Sequence, residues 1–458
     1  MSFKRVLLAG LLFFVTAAVV ILSGALDRFS PTGYVNHVPA VILLFLYLVL
    51  ALVATWIVLR FAKIRGPLFL VLAAVVLVLV AAEVGIRYFH PSGAKLVYQF
   101  VYSRDFHHVN YPNSELVFDS LPFGPSNLEK EAGAVFTNSM GLRTAYERED
   151  FLRYPRRVLF LGDSFTFGLY VPLENSFPRL LEKRWRQQLG EAGLAALNAG
   201  LVSYSPLLER QLYEKRLAAF EPEIVVMVFD ATDVGDDYQY GRQARTGPDG
   251  LYFPQTGFSA LLPSEGDSWS KHCALCQRFF LPFSLLKGFL HPVLMSTEAL
   301  GPSAMWLEID GKLELNNYFI YRHPLEKTRP YFEASLAQIA AVAKQVEAGG
   351  GKFLLVVSPR FQHWNTKECP KNWEGSQYSL AEPYQDEMFR FFEERRTTLG
   401  FPLLNLLPAF KESSEFPLVF EDDPHWNSAG HELVAGVIGA EIDRLGWLAD
   451  PPADQGQR

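Results

Sequence analysis

Three uninterrupted apolar runs crowd the first ninety positions, Val6 to Leu26, Val38 to Leu59 and Pro67 to Ile86. Each has roughly the 20 residues that an α-helix needs to cross a hydrocarbon core of about 30 Å. Residues 1–90 are therefore read as a three-helix transmembrane region whose partner is the lipid bilayer. Basic residues are retained on the cytoplasmic side of such spans. Lys4 and Arg5 precede the first run, and Arg60, Lys63 and Arg65 fill the second connection, whereas Asp27 to His37 carries one Arg and one Asp. The N-terminus is thus expected inside and the large C-terminal part outside, in the periplasm or beyond the cell. Ser23, Gly24 and Ala25 are small residues near the end of the first run and offer a signal-peptide reading. Cleavage there leaves the topology of everything downstream unchanged. Glu83 stands four residues before Arg87, the spacing of an interfacial ion pair on one helix face.

The formal net charge of −7 supplies no basic stripe for a phosphate backbone, so nucleic acid is not an expected partner. Neither a Walker loop nor a dinucleotide fingerprint is present. Gly349, Gly350 and Gly351 follow an amphipathic segment and precede an apolar one, the place of a helix stop and turn.

Between positions 91 and 154 the chain is rich in Pro, Asn, Asp and aromatic residues without a sustained period, and reads as a linker and irregular lead-in packed on the domain C-terminal to it. From 155 to 448 short apolar runs alternate with helix-period segments, the pattern of a parallel sheet covered on both faces. The expected strands are Val158 to Leu161, Ala196 to Asn198, Ile224 to Phe229, Phe353 to Val357 and Leu403 to Leu406. Helix faces are expected at Phe177, Leu180, Leu181 and Trp185, at Phe332, Leu336, Ile339, Ala343 and Val346, and at Leu433, Val437 and Ile438. The fold class is α/β, a three-layer sandwich around a five-stranded parallel sheet with the flavodoxin-like strand order. A stretch from about 238 to 323 breaks the rhythm and is read as an insertion, a length typical of lids and binding loops. Its Phe279 to Met295 portion is apolar but interrupted by Pro282 and Pro292, which suits a lid or a membrane-surface patch better than a spanning helix. Residues 449–458 are expected to be a disordered tail.

Two constellations carry chemistry. Gly162, Asp163 and Ser164 end an expected strand, placing a serine at the carboxyl edge of a parallel sheet, where open α/β folds bind ligands. Taken alone, the tripeptide is equally a turn with a helix cap. Near the C-terminus stand Asp422, Asp423, Pro424, His425, Trp426 and Asn427, followed by Gly430 and His431. A serine hydroxyl needs a base to take its proton, and a histidine needs a carboxylate to fix its tautomer. A helix N-cap at Asn427 or Ser428 explains the polar turn but not the histidine.

On these residues the C-terminal part resembles the SGNH (GDSL-type) hydrolase superfamily. The matching blocks are Val158 to Gly168 (VLFLGDSFTFG), Leu197 to Pro206 (LNAGLVSYSP), Val225 to Asp237 (VVMVFDATDVGDD) and Asp423 to His431 (DPHWNSAGH). The resemblance implies Ser164 as nucleophile and His425 as base, with Asp423 orienting the imidazole, or Asp422 as in other branches of the superfamily. It implies an oxyanion hole at Ser164 with a block II glycine and a block III asparagine, whose places here are taken by Ser203 and Thr232. A serine keeps its backbone N–H, and a threonine donates through a shorter arm than asparagine.

No cofactor is called for. Asp163, Asp230, Asp233, Asp236 and Asp237 gather near the same edge by sequence, and without histidine ligands they read as capping and turn residues rather than a metal site. Of the three cysteines, Cys273, Cys276 and Cys369, a disulfide outside the cytoplasm leaves one thiol over, and zinc needs a further ligand such as His272 or His363. The expected activity is that of an extracytoplasmic serine ester hydrolase or O-acetyltransferase acting on an acylated envelope glycan or lipid, with a membrane acyl donor as a further partner. The rival expectation is a catalytically weak glycan-binding or assembly component built on the same fold.

Overall fold

The strands that position the site are nearly continuous runs of buried apolar residues, as parallel strands covered on both faces must be. The computed structural model describes residues 100–117, 134–255, 307–376, 378–380 and 382–449, together with the pairs 34–35 and 38–39. The chain divides into two units, Met1–Gln99 with Pro263–Ser296 and Phe100–Leu262 with Thr297–Arg458. Within the first unit, Tyr34–Val35 pairs antiparallel with Val38–Pro39. The three expected membrane spans otherwise lie outside the described residues, as do Phe279 to Met295 and the end of the chain from 450. Among the described residues no helix is long and apolar enough to cross a membrane.

The second unit begins with two antiparallel hairpins, β1 (Phe100–Ser103) with β2 (His107–Asn110) and β3 (Glu115–Val117) with β4 (Ala134–Phe136). The lead-in is therefore regular in part, and the compact unit starts at Phe100 rather than 155. Strands β5 (Arg156–Leu161), β6 (Leu194–Asn198), β7 (Ile224–Phe229), β8 (Lys352–Val357) and β9 (Leu403–Asn405) form one sheet in the order β9-β8-β7-β5-β6. All its pairings are parallel, and this is the flavodoxin-like order. Ile224–Phe229 has the boundaries the sequence indicates. β5 and β6 each start two residues earlier than expected: in β5 Arg156 is paired with Glu223 and so escapes the apolar pattern, and β6 is extended with it by the pairing of Leu194 with Arg156. β9 stops one residue short, at Asn405, whose side-chain oxygen accepts from the Leu407 N–H and turns the chain into the next helix.

Alternation along the strands separates the two faces. Val158, Phe160, Leu194, Ala196, Ile224, Val226, Val228, Leu354 and Val356 share a core with α2 (Phe177–Leu189) and α7 (Ser428–Arg444). On α7 the buried residues are Val434, Ala435, Ile438 and Ile442, while Leu433 and Val437 are half-buried. Ile438 is buried as expected, while the rest of the face lies on Val434, Ala435 and Ile442 rather than on Leu433 and Val437. The opposite face carries α5 (Leu325–Ala348) and α6 (Glu387–Arg395), with Phe229 of β7 meeting Phe392 at 5.0 Å between ring centroids. Gly349 ends α5 and Gly350 turns with φ +80°, as the glycine run indicates.

The expected insertion begins too early at 238. Tyr238 lies inside α4 (Asp233–Gln243), which directly follows β7. Short hairpins at 245–252 and 307–314 then flank the segment 256–306, which is outside the described residues. Trp185 is fully buried between α2 and β5, stacked on Phe160 at 6.4 Å. Trp185→Ala is expected to lower unfolding stability by about 3–5 kcal/mol, read from denaturation midpoints. A loss near zero would remove this face of the core from the account.

Candidate active site

The turn after β5 is built around a glycine that nothing else can replace. Gly162 has φ +152°, and a Cβ there would lie 2.1 Å from Thr166 Oγ1. Asp163 then caps the short helix α1 (Ser164–Phe167) by accepting from the Phe165 N–H at 2.9 Å. The far end of α1 is closed from the lead-in. The buried Arg143 guanidinium donates from Nη1 to Phe167 O at 2.9 Å and Gly168 O at 2.5 Å, and from Nη2 to Val171 O at 2.7 Å. Burial pulls the Arg143 pKa down to about 9, which still leaves it charged at neutral pH. Ser164 is thus the first residue of a helix pinned at both ends.

The loop that precedes α7 brings the base to this serine. His425 Nε2 lies 2.8 Å from Ser164 Oγ, and His425 Nδ1 lies 2.5 Å from Asp423 Oδ1. The same Asp423 oxygen accepts from the His425 backbone N–H at 3.0 Å, so carboxylate and ring are locked across two residues. Asp422 is half-buried and is not the partner of the ring. Asn427 caps α7 by accepting from the Gly430 N–H at 3.0 Å, so the polar turn is both a cap and a source of the histidine. His431 serves the scaffold. Its Nδ1 accepts from the Phe177 N–H at the start of α2, and burial pulls its pKa down to about 3, keeping it neutral.

Asp423 is 1% exposed, whereas Ser164 and His425 retain 8% and 9%, so the chain of hydrogen bonds runs from the interior to an open edge. Burial disfavours the His425 cation, but the Asp423 charge and hydrogen bond outweigh it, and the ring pKa is raised. Phe165 and Tyr170 wall the imidazole at 4.9 and 5.7 Å between centroids. This is the arrangement that makes an alcohol nucleophilic, with a base within reach of the hydroxyl and a buried acid holding the base.

Ser203 and Thr232 sit on the loops that flank Ser164 at the same sheet edge. The loop after β6 is tied to the nucleophile turn by Leu201 N donating to Gly162 O at 3.0 Å. Gly200 packs so closely on α1 that a Cβ would come 2.4 Å from Phe167 N. Ser203 has φ +62°, the left-handed conformation that suits the glycine usual at this place in the superfamily it resembles, and that costs a serine on the order of 1 kcal/mol. Thr232 follows β7, and its Oγ1 accepts from Arg360 Nη2 at 3.5 Å, the outer limit of a hydrogen bond. A hydroxyl that accepts from a guanidinium keeps its own proton for another acceptor.

Arg360 is the feature of this edge that the motif blocks leave out. It follows β8, is buried, and is held by Asp230 at 2.9 Å and Glu374 at 2.9 Å, with its guanidinium 5.3 Å from the Phe165 ring centroid. The signal in the sequence was its position just past the carboxyl end of a parallel strand. The acidic group has structural partners. Asp230 pairs with Arg360, Asp233 accepts from the Asp230 N–H, Asp236 accepts from Asn317, and Asp237 accepts from Ser205 Oγ and the Leu207 N–H at the head of α3 (Pro206–Leu212). Among the described residues no group of His, Cys, Asp or Glu is arranged to hold a metal ion. Cys369 is a buried free thiol, and His363 is engaged with backbone atoms of Arg360 and Gln385. Cys273, Cys276 and His272 lie outside the described residues.

No protein-family model matches this sequence, and no curated protein does. Among solved structures the chain is similar to Axe2, an acetylxylan esterase from Geobacillus stearothermophilus, with 13% identity over 64% of this chain and 95% of that chain and a TM-score of 0.31. It is similar to TesA, with 13% identity over 63% and 99% and a TM-score of 0.32. It is also similar to LAE5, an α/β hydrolase from the metagenome of Lake Arreo, Spain, with 13% identity over 65% and 98% and a TM-score of 0.31. Likenesses this distant add no weight to the reading of the site, which rests on the geometry above.

Because the base must be neutral to act, ester turnover is expected to rise with pH through a midpoint above the ordinary histidine value of about 6.5. Asp423→Asn removes the interaction that raises the ring pKa and is expected to lower kcat by on the order of 10⁴-fold. The residual activity should titrate at lower pH than in the parent protein, while Asp422→Asn leaves both rate and midpoint near their original values. Equal losses in the two variants, measured as pH–rate profiles, would disprove this assignment.

Proposed function

We propose that this chain is a membrane-anchored, extracytoplasmic serine enzyme of the SGNH type, a carboxylic-ester hydrolase or O-acyltransferase acting on acyl groups of a cell-envelope glycan or lipid. The observation that carries the reading is the continuous Asp423–His425–Ser164 chain, with the acid 1% exposed and the serine 8%. The motif blocks and the flavodoxin-like sheet support the superfamily. The three apolar runs and the basic residues around them support the anchor and its orientation.

In this mechanism His425 Nε2 takes the proton of Ser164 Oγ as the oxygen attacks the ester carbonyl. Asp423 stabilises the imidazolium that forms. The N–H groups of Ser164 and Ser203, with the Thr232 hydroxyl, hold the oxyanion. Collapse of the tetrahedral adduct expels the alcohol, protonated by His425, and leaves an acyl-serine. Water, or a hydroxyl of a glycan, then attacks the acyl carbon with His425 again as base. Hydrolase and transferase share every protein group in this scheme and differ in the second nucleophile.

Purified protein is expected to hydrolyse p-nitrophenyl acetate, and Ser164→Ala to lower kcat by on the order of 10⁴-fold or more. Turnover unchanged by that substitution would remove Ser164 as nucleophile and end the enzymatic reading.

A further inference from the structure

The peptide unit between Val202 and Ser203 is held from outside the catalytic motifs. A trans peptide is planar, and its carbonyl and N–H point in opposite directions, so whatever fixes the Val202 carbonyl also aims the Ser203 N–H. His108, on β2 of the lead-in hairpin, places Nε2 2.9 Å from Val202 O. A carbonyl only accepts, so His108 Nε2 carries the proton.

That proton determines the rest of the relay. His108 Nδ1 lies 2.8 Å from His107 Nδ1. In a neutral His108 ring protonated at Nε2, Nδ1 has a lone pair and accepts, so the proton between the rings belongs to His107 Nδ1. His107 Nε2 then carries a lone pair. Burial pulls His107 to about 3 and His108 to about 4, so both rings are neutral at physiological pH and each has one tautomer.

The surroundings leave little freedom. Tyr240 O–H donates to Ser203 O at 2.8 Å, and Tyr204 O–H donates to His108 O at 2.7 Å. The His108 ring meets His107 and Tyr204 edge-on at 5.1 and 5.2 Å. A serine at φ +62° persists only where its neighbours over-determine it, and these contacts do so on both sides of Ser203.

We propose that His108, protonated at Nε2 and accepting from His107 at Nδ1, is a positioning residue for the oxyanion hole, holding the Val202–Ser203 peptide so that the Ser203 N–H faces the acyl oxygen of a substrate on Ser164. The donation to Val202 O also polarises the peptide and strengthens its N–H as a donor. This inference rests on the serine-enzyme reading and adds to it a role for a residue outside the motif blocks.

The test uses the full chain and three proteins, the parent, His108→Phe and His108→Gln. Phenylalanine keeps the ring volume without a donor, and the glutamine amide restores an N–H at nearly the same reach. The readouts are kcat and KM for p-nitrophenyl acetate and the affinity of an aryl trifluoromethyl ketone, which adds to a catalytic serine and presents an oxyanion. His108→Phe is expected to lower kcat by about 10- to 100-fold, less than outright loss of an oxyanion donor, and to weaken the ketone by a similar factor at little-changed KM. His108→Gln should recover most of both. Unchanged kcat and ketone affinity in His108→Phe, or a loss in His108→Gln as large as in His108→Phe, overturns the proposal. ¹⁵N shifts of the imidazoles in the parent protein give a second reading that needs no variant. They should show His108 neutral and protonated at Nε2, and an Nδ1–H tautomer or an imidazolium at neutral pH overturns the proposal. Labelling of the parent protein at Ser164 by a fluorophosphonate separates the two levels. Failure to label, with no esterase activity, overturns the serine-enzyme reading itself and this inference with it. Labelling together with an unaffected His108→Phe overturns the inference alone.

Discussion

The carboxylate of Asp423, sealed from water and 2.5 Å from His425 Nδ1, is the interaction on which the site depends. Left alone, the buried imidazole would resist a positive charge, and a base that resists charge cannot take a proton from an alcohol. The neighbouring anion reverses that balance. It also leaves Nε2 free of the ring proton and facing Ser164 Oγ at 2.8 Å. The geometry is local, since acid and base are two residues apart and the Asp423 carboxylate also accepts from the His425 backbone N–H. Only the serine must come from afar, and the sheet brings it.

Sheet topology explains why these groups meet. β5 lies between β6 and β7, so the nucleophile turn has a loop on either side, one carrying Ser203 and the other Thr232. The strand beyond β7 delivers Arg360 to the same edge, where it binds Asp230 and reaches Thr232. The lead-in before the sheet closes the arrangement. Arg143 satisfies the carbonyls at the end of the nucleophile helix, and His108 holds the loop after β6. Residues 100–154 therefore belong to the same compact unit as the sheet, joined to it in part by these buried polar contacts.

The legibility of each feature in the sequence depends on what its signal encodes. Ile224–Phe229 is unambiguous, because a central parallel strand is apolar on both faces. β5 is longer than its apolar run, since hydrophobic pattern does not register Arg156, which is buried by virtue of its ion pair with Glu223. The α7 face is only partly legible, with Ile438 buried as expected, because Leu433 and Val437 are as apolar as Val434 and Ile442 and only tertiary packing chooses between them. Ser164, His425 and Asp423 are visible because their chemistry requires specific residue types in short motifs. Arg143, His108 and Arg360 are not, because each acts through long-range hydrogen bonds to backbone or carboxylate groups and carries no local spacing. The lead-in hairpins escape for a related reason, being short and crowded with histidine, tyrosine and asparagine whose burial depends on the rest of the fold.

The central claim, that Ser164 takes up an acyl group from an ester, is tested most directly by trapping the intermediate. Protein mixed with an activated ester and quenched in acid within the first turnovers should yield one proteolytic peptide heavier by the mass of the acyl group. That peptide should contain Ser164, and fragmentation should place the adduct on its hydroxyl. Sustained ester turnover with an unmodified Ser164 peptide, or with the acyl group on another side chain, would contradict the account.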